Sequence, residues 1–255
     1  MAKQDNLEVF LDHLIEDLDW RKKEIGDQLF LANSSNEHLI MKSAVLLIYS
    51  HWEGYVKNAC KHYLKYVSDQ KVPLRNLTFN FEAISLKGQI KSAYESNNSL
   101  TLTNELNLVE KFYDSNEAKF NLPNSIIKEK NKDFINTHDN LNLKILNSFL
   151  KIVGIGEIVI IKGREKYIDE NLLNQRNAIG HGTKVDPDSQ EFDLSLKNIY
   201  KVRDFIFMLM EYVQSELTHY SENYFYLYEN TNKARIRREN QTTLLQRNMK
   251  ILFNK

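Results

Sequence analysis

The chain has 255 residues, 42% of them hydrophobic, which is enough to bury a core and excludes a disordered composition. Only 8 glycines and 3 prolines punctuate it, so the composition favours helices over a turn-rich all-β fold. The 34 basic and 34 acidic residues cancel, and a single cysteine, Cys60, excludes an internal disulfide or a cysteine-cluster zinc site. No apolar run approaches the ~18 residues of a membrane span, and the acidic N-terminal segment does not resemble a signal peptide. We therefore expect a cytoplasmic protein with no membrane partner.

The first two predicted elements are long helices. Hydrophobic residues recur at three- and four-residue spacings over 6–31 and again over 37–68. In the second segment the apolar stripe is continuous from Val45 to Val67, and its width is typical of a helix buried in a core.

The middle of the chain, about 70–165, is predicted to be a mainly helical insertion. Polar breaks separate short helical pieces, which we place at 84–95, 103–113, 123–135 and 141–153. A β-branched run at 158–161 indicates an extended segment.

Three further elements complete the predicted order. A short helix over 168–181 has Asp169 as its N-cap, and a long aromatic-rich helix covers 192–228. We therefore predict one helical domain over 1–230, followed by a basic C-terminal tail, 231–255, that the domain does not need for folding.

The segment from Arg176 to His181 carries the most informative chemistry. On an ideal helix Arg176 lies within ~40° of Leu172, on the apolar side, where its charge requires an acid, a phosphate or an interface. His181 lies ~140° from Arg176. The two side chains converge only if the arginine reaches round, if the helix ends near Gly180, or if a second subunit supplies one of them. The alternative is structural: a histidine that caps the helix C-terminus and an arginine in an internal salt bridge.

Two stretches resemble a known family. Arg-Asn-x-x-x-His-Gly at 176–182 resembles the Arg-x(4 to 6)-His motif of the HEPN superfamily of ribonucleases. The stretch 47–57, Leu-Ile-Tyr-Ser-His-Trp-Glu-Gly-Tyr-Val-Lys, is similar to the matching core helix of one bacterial branch. The resemblance covers roughly 37–68 and 168–215. It implies an all-α bundle of about four helices, usually dimeric, in which the arginine and histidine of both subunits line one cleft. It also implies metal-independent RNA cleavage, in which the ribose 2′-hydroxyl attacks the adjacent phosphate and leaves a 2′,3′-cyclic phosphate.

The resemblance assigns roles that the residue chemistry fits. Arg176 would hold the phosphate and stabilise the charge that develops on it, and His181 would transfer protons. Asn177 would orient His181 or a phosphate oxygen. Glu53 and His51 flank the core stripe, and Glu53 would pair with Arg176 or set the ionisation of His181; the alternative is a structural ion pair. No metal-ligand cluster occurs at helical spacing, so we expect no metal and no cofactor.

The C-terminal tail supplies the candidate RNA-binding residues Lys233, Arg235, Arg237 and Arg238, just after a tyrosine-rich stretch. A plain solvated end is the alternative. The expected partners are RNA, a second copy of the chain, and a cognate antitoxin or defence-system protein. The sequence thus predicts an RNase that acts as a toxin or anti-phage effector. The alternatives are a non-catalytic HEPN module that binds RNA or a protein, and an unrelated helical scaffold.

Overall fold

The computed structural model describes residues 2–35, 38–95, 101–115, 117–138, 140–183 and 193–254. These residues form helices joined by irregular segments and contain no β-strand, which confirms the predicted all-α fold. In chain order the helices are α1 (Ala2–Ser35), α2 (His38–Asp69), α3 (Phe79–Ser85), α4 (Lys87–Glu95), α5 (Thr103–Ser115), α6 (Leu143–Ile152), α7 (Asn174–Gly180), α8 (Leu196–Glu222) and α9 (Thr231–Phe253). Within the described ranges, no helix combines the length and the hydropathy needed to cross a bilayer.

Helix α2 is the centre of the core. Its predicted apolar stripe is confirmed: Trp52, Tyr55 and Val56 have no exposed surface. Helices α1 and α8 pack along α2 and along each other, so three long helices bury one another's apolar faces. Full burial of side chains of this size stabilises the fold by about 1.5–3 kcal/mol each, which makes α2 the rigid support for whatever lies on its surface.

The predicted helix at 123–135 is wrong, because most of this segment is irregular. Only Asn124–Ile127 forms a single 3₁₀ turn. The reason is a tertiary contact with Lys61, a fully buried lysine of α2. Its Nζ donates to three main-chain carbonyls of the segment at 2.7–3.4 Å, those of Lys128, Glu129 and Asn131. These carbonyls accept hydrogen bonds from a buried ammonium group, and in a helix they would instead accept from main-chain N–H groups. Burial lowers the pKa of Lys61, and the nearby charge of Lys57 lowers it further.

Farther along the insertion, both main-chain groups of Leu141 are bonded to α2. The Tyr49 hydroxyl accepts a hydrogen bond from the Leu141 N–H at 3.2 Å, and the Trp52 indole N–H donates to the Leu141 carbonyl at 2.9 Å. Farther along, the run 158–161 forms neither helix nor strand. The Asn147 side chain bonds both main-chain groups of its first residue, at 2.9 and 3.3 Å.

The motif helix begins earlier than predicted and contains a wide turn. Residues 167–180 are continuously helical, with a π-helical segment, Asp169–Leu173, ahead of α7. Asp169 therefore lies inside the helix, and its prediction as the N-cap is wrong. Tyr167 and Ile168 are buried, and their packing starts the helix two residues before Asp169, the polar residue that was predicted as its cap.

The long aromatic helix, α8, is shorter than predicted, because the chain turns at Tyr224 (φ +54°) and packs back on the core. Residues 231–253, predicted as a basic tail, form helix α9. Its Ala234, Leu245 and Met249 are buried in the common core. The segment is therefore a packed helix rather than a solvated end, and the expectation that the fold does not need it stays a prediction. Lys255 lies outside the described residues.

Candidate functional site

Arg176 projects from α7 onto the surface of α2. The centre of its guanidinium lies 4.4 Å from the centroid of the Tyr49 ring, and its Nη1 donates to Asn177 Oδ1 at 2.7 Å. The residue is half-buried. In the described part of the chain no carboxylate lies within salt-bridge distance of it. Among these residues its partners are the Tyr49 ring and the Asn177 amide, and the stacking on the ring contributes about 0.5–2 kcal/mol.

Tyr49 is itself held by a polar network. Besides accepting from Leu141, its hydroxyl is hydrogen-bonded to the Glu53 carboxylate. Burial raises the pKa of Tyr49 and the negative charge of Glu53 raises it further, so the phenol stays neutral under Arg176. Glu53 also accepts a hydrogen bond from Thr137 and forms an ion pair with Lys57 at 3.5 Å. Glu53 therefore acts on the arginine only through the tyrosine.

His181 lies at the C-terminal end of α7. The helix ends at Gly180, one residue before the end of the predicted helix, and His181 is its C-cap, with its main-chain N–H bonded to the Asn177 carbonyl at 2.9 Å. Gly182 follows in the left-handed conformation (φ +71°), and the last turn is closed by hydrogen bonds of the Schellman type. The side chain of His181 is exposed, next to the negative end of the helix dipole.

Arg176 lies within α7, and His181 is the C-cap of the same helix (φ −85°, ψ 4°). The π-helical segment ends at Leu173, before both residues, so the separation of ~140° on an ideal helix still applies between them. Among the described residues, no contact joins the two side chains. The neighbouring Gln175 is buried, and its side-chain amide donates to the Asp193 carbonyl at 3.2 Å, which ties α7 to the segment just before α8.

His51 belongs to a different cluster, between α2 and α1. Its imidazole lies 2.8 Å from Glu24 and 3.4 Å from Nη1 of Arg21, which in turn bonds Asp17 at 2.9 Å. Burial lowers the pKa of His51 and the Arg21 charge lowers it further, while Glu24 raises it. A Cβ on Gly54 would approach Arg21 Nη1 to 2.6 Å, which explains a glycine at this point of the helix. The structure does not bring His51 to Arg176.

The four predicted RNA-binding residues have different surroundings. Arg237 donates two hydrogen bonds to one carboxylate oxygen of the fully buried Glu216. Arg235 forms an ion pair with the exposed Glu239 at 2.8 Å. Lys233 is exposed and Arg238 is half-buried. All four lie far from α7, since Glu216 is 20 residues, or roughly 30 Å of helix, after Leu196 at the start of α8.

The described residues contain no group of three or more His, Cys, Asp or Glu side chains arranged to hold a metal ion. The short helix α7, which carries Arg176, Asn177 and the C-cap His181, packs against the core helix α2 beside Tyr49. Residues 10–226 match the family model described as HEPN_MAE_28990-like HEPN, and the chain belongs to this family. Comparisons with curated proteins and with solved structures found no match.

The contact between Tyr49 and Arg176 was not predicted from the sequence. A signal was present, because Tyr49 and Glu53 are four residues apart and so share a face of α2. Thr137 and Leu141, which complete the network, lie in the irregular insertion, where no local pattern indicates a contact with α2.

Proposed function

We propose that this HEPN protein is a metal-independent endoribonuclease that acts as a toxin or anti-phage effector. One observation carries the proposal: the Arg176 guanidinium is positioned by an aromatic ring and an amide oxygen, without a carboxylate among the described residues, on a helix that ends in an exposed histidine. The guanidinium keeps donors for a further acceptor, and its planar fork matches a phosphate.

The chemistry that follows uses only this chain's side chains. The ribose 2′-hydroxyl attacks the adjacent phosphorus, and His181 takes its proton and then delivers it to the departing 5′-oxygen. The bond from the 2′-oxygen to phosphorus forms as the bond to the 5′-oxygen breaks, leaving a 2′,3′-cyclic phosphate and a 5′-hydroxyl. Arg176 stabilises the negative charge on the phosphoryl oxygens during this step. Asn177 holds the guanidinium in place.

A two-fold homodimer is part of the proposal. No described contact within one chain joins Arg176 to His181, and a two-fold axis beside α7 would bring the arginine of one copy towards the histidine of the other. Mixing Arg176→Ala with His181→Ala protein would then restore up to about a quarter of the wild-type activity, because only heterodimers regain an intact site. If each site lay within one chain, the mixture would stay inactive.

The test of the reaction is cleavage of tRNA, rRNA and mRNA in excess EDTA. We expect wild type to cleave and to leave cyclic-phosphate ends, and His181→Ala and Arg176→Ala to lose activity while their circular dichroism is unchanged. Arg176→Lys should also be poor, because an ammonium group lacks the fork. Lys23→Gln, on the exposed face of α1, is the control. Cleavage that requires a divalent ion would contradict the mechanism. Binding of RNA without cleavage would instead support the alternative, a non-catalytic HEPN module.

A further inference from the structure

A cavity lies between the insertion and α9, away from α7. Its volume is about 510 Å³, within the range of pockets that bind small ligands. We call it the α9 cleft and define it by five of its lining residues, Phe79, Lys151, Val159, Tyr228 and Arg238. Part of the cleft, from Tyr228 onwards, follows residue 226, where the family match ends.

Two aromatic side chains stand in solvent at this cleft on a fixed backbone. Phe79 is 84% exposed and Tyr228 is 69% exposed. Their chain segments are joined by an isolated bridge between Leu77 and Leu227 and by a 3.0 Å hydrogen bond from Thr78 N–H to the Tyr226 carbonyl. A single exposed aromatic is ordinary on a protein surface. Two that line one cavity on paired segments form a surface suited to a flat apolar ligand.

Arg238 supplies the charge of the cleft. Its guanidinium lies against Gly156, where a Cβ would come within 2.6 Å of Nη1, and the φ of +89° at this position itself favours glycine. Within the described ranges no acid pairs with Arg238, and its buried Nε has no hydrogen-bond partner. Lys151 is neutralised by Glu157 at 2.5 Å. The cleft therefore presents one cation that is not neutralised beside two exposed rings.

We infer that the α9 cleft binds one unpaired nucleotide of a single-stranded RNA, with the base on Phe79 or Tyr228 and a phosphate on Arg238. Stacking platforms next to a cation are the combination that binds single strands with little sequence preference. An acidic peptide would use the cation but leave the rings without a partner. The inference rests on the proposed function for its choice of RNA.

The position of the cleft gives this binding a consequence for substrate choice. The cleft adjoins Ala234 and Arg238 near the start of α9, which packs on the C-terminal half of α8, roughly 30 Å along that helix from α7. A substrate held at both places needs a single-stranded segment at a set distance from the bond that is cut. The cleft would therefore select among RNAs by shape.

Binding can be measured independently of cleavage. The probe is a fluorescein-labelled, 2′-O-methylated single strand of about 15 nucleotides, read by fluorescence anisotropy; without a 2′-hydroxyl it cannot be cut. We expect Phe79→Ala or Tyr228→Ala to weaken binding about fivefold or more. Arg238→Gln should reduce the slope of log K against log salt concentration by about 0.7, the value for one single-strand phosphate contact. Phe30→Ala and Lys23→Gln, at exposed positions on α1, are matched controls and should bind like wild type.

Each outcome decides the assignment. If all three cleft variants bind the probe like the controls, the inference is overturned, whatever the cleavage assay in EDTA shows. If free AMP binds and its binding is lost in the variants while the oligonucleotide is unaffected, the cleft is a site for a free nucleotide and the RNA assignment fails. Because Phe79 and Tyr228 are largely exposed, their removal should leave the melting temperature unchanged, so the test stands even if Arg238→Gln is less stable.

Discussion

Replacement of Arg237 by alanine should destabilise the fold, although the residue belongs to a basic segment that looks solvated in the sequence. Arg237 donates to one oxygen of Glu216 at 2.7 and 3.1 Å, and the Glu216 side chain is fully buried. The second carboxylate oxygen has no hydrogen-bond partner among the described residues. Breaking a buried pair by removing one partner costs about 3–5 kcal/mol, and because Arg237 is 23% exposed we expect about 2–3 kcal/mol.

The loss of folding stability in Arg237→Ala should depend on pH. Burial raises the pKa of Glu216, while the hydrogen bond and charge of Arg237 lower it, so the variant raises it further. A carboxyl whose folded pKa exceeds its unfolded value of about 4.3 binds more protons when folded, so stability falls as pH rises through the interval between the two values. The destabilisation by Arg237→Ala should therefore be largest near neutral pH and shrink on acidification.

Urea unfolding near neutral pH and near pH 5 measures both effects. Arg235→Ala is the matched control, because its exposed pair with Glu239 spans one helical turn and should contribute at most about 0.5 kcal/mol. Adding Glu216→Gln to Arg237→Ala should remove most of the pH dependence. The reasoning is refuted if Arg237→Ala is as mild as Arg235→Ala, or if its cost is the same at both pH values.

Three further measurements test the fold. Truncation after Glu229 removes the three buried α9 side chains and should lower the urea midpoint strongly; an unchanged midpoint would show that α9 is dispensable. Trp52→Phe loses the indole bond to the Leu141 carbonyl and leaves a buried acceptor, so it should cost about 1–3 kcal/mol, and a neutral result would mean that water replaces the bond. Burial, together with the charge of His13, lowers the pKa of His62 to about 4, below its unfolded value of about 6.5, so the unfolded chain binds more protons between these values. Stability should fall as pH falls through that interval, and His62→Gln should reduce the slope; an equal slope would assign the acid sensitivity elsewhere.

The sequence predicts best those helices in which the spacing of the apolar residues alone shows which face is buried. The stripe of α2 needs no other information, because its spacing alone places Trp52 and Tyr55 on one face. The irregular segment at 123–135 could not be predicted, since Lys61, more than sixty residues earlier, binds its carbonyls. The same limit applies to α9, whose composition is basic while its buried residues are few and widely spaced.

For the candidate site, the sequence predicts the residues but not their arrangement. Arg176 and His181 stand out by type and spacing, and the helix end at Gly180 follows from the flanking glycines. The π-helical segment ahead of α7 has no recognisable sequence signal, yet it changes the phase between Leu172 and Arg176. The stacking on Tyr49 depends on how α7 meets α2, which is a property of the packed structure.

The attachment of Leu141 to α2 limits how far the domain can be shortened. A chain that joined α2 directly to α7, without the insertion, would leave the Tyr49 hydroxyl and the Trp52 indole facing a gap where the Leu141 peptide group had been. An indole N–H deprived of its acceptor in a dry interior is costly, so a minimal version would need an apolar residue at position 52. At position 49 the replacement would have to be phenylalanine, because an aliphatic residue would remove the ring under Arg176. A smaller protein could thus retain the bundle and still lose the support of its arginine.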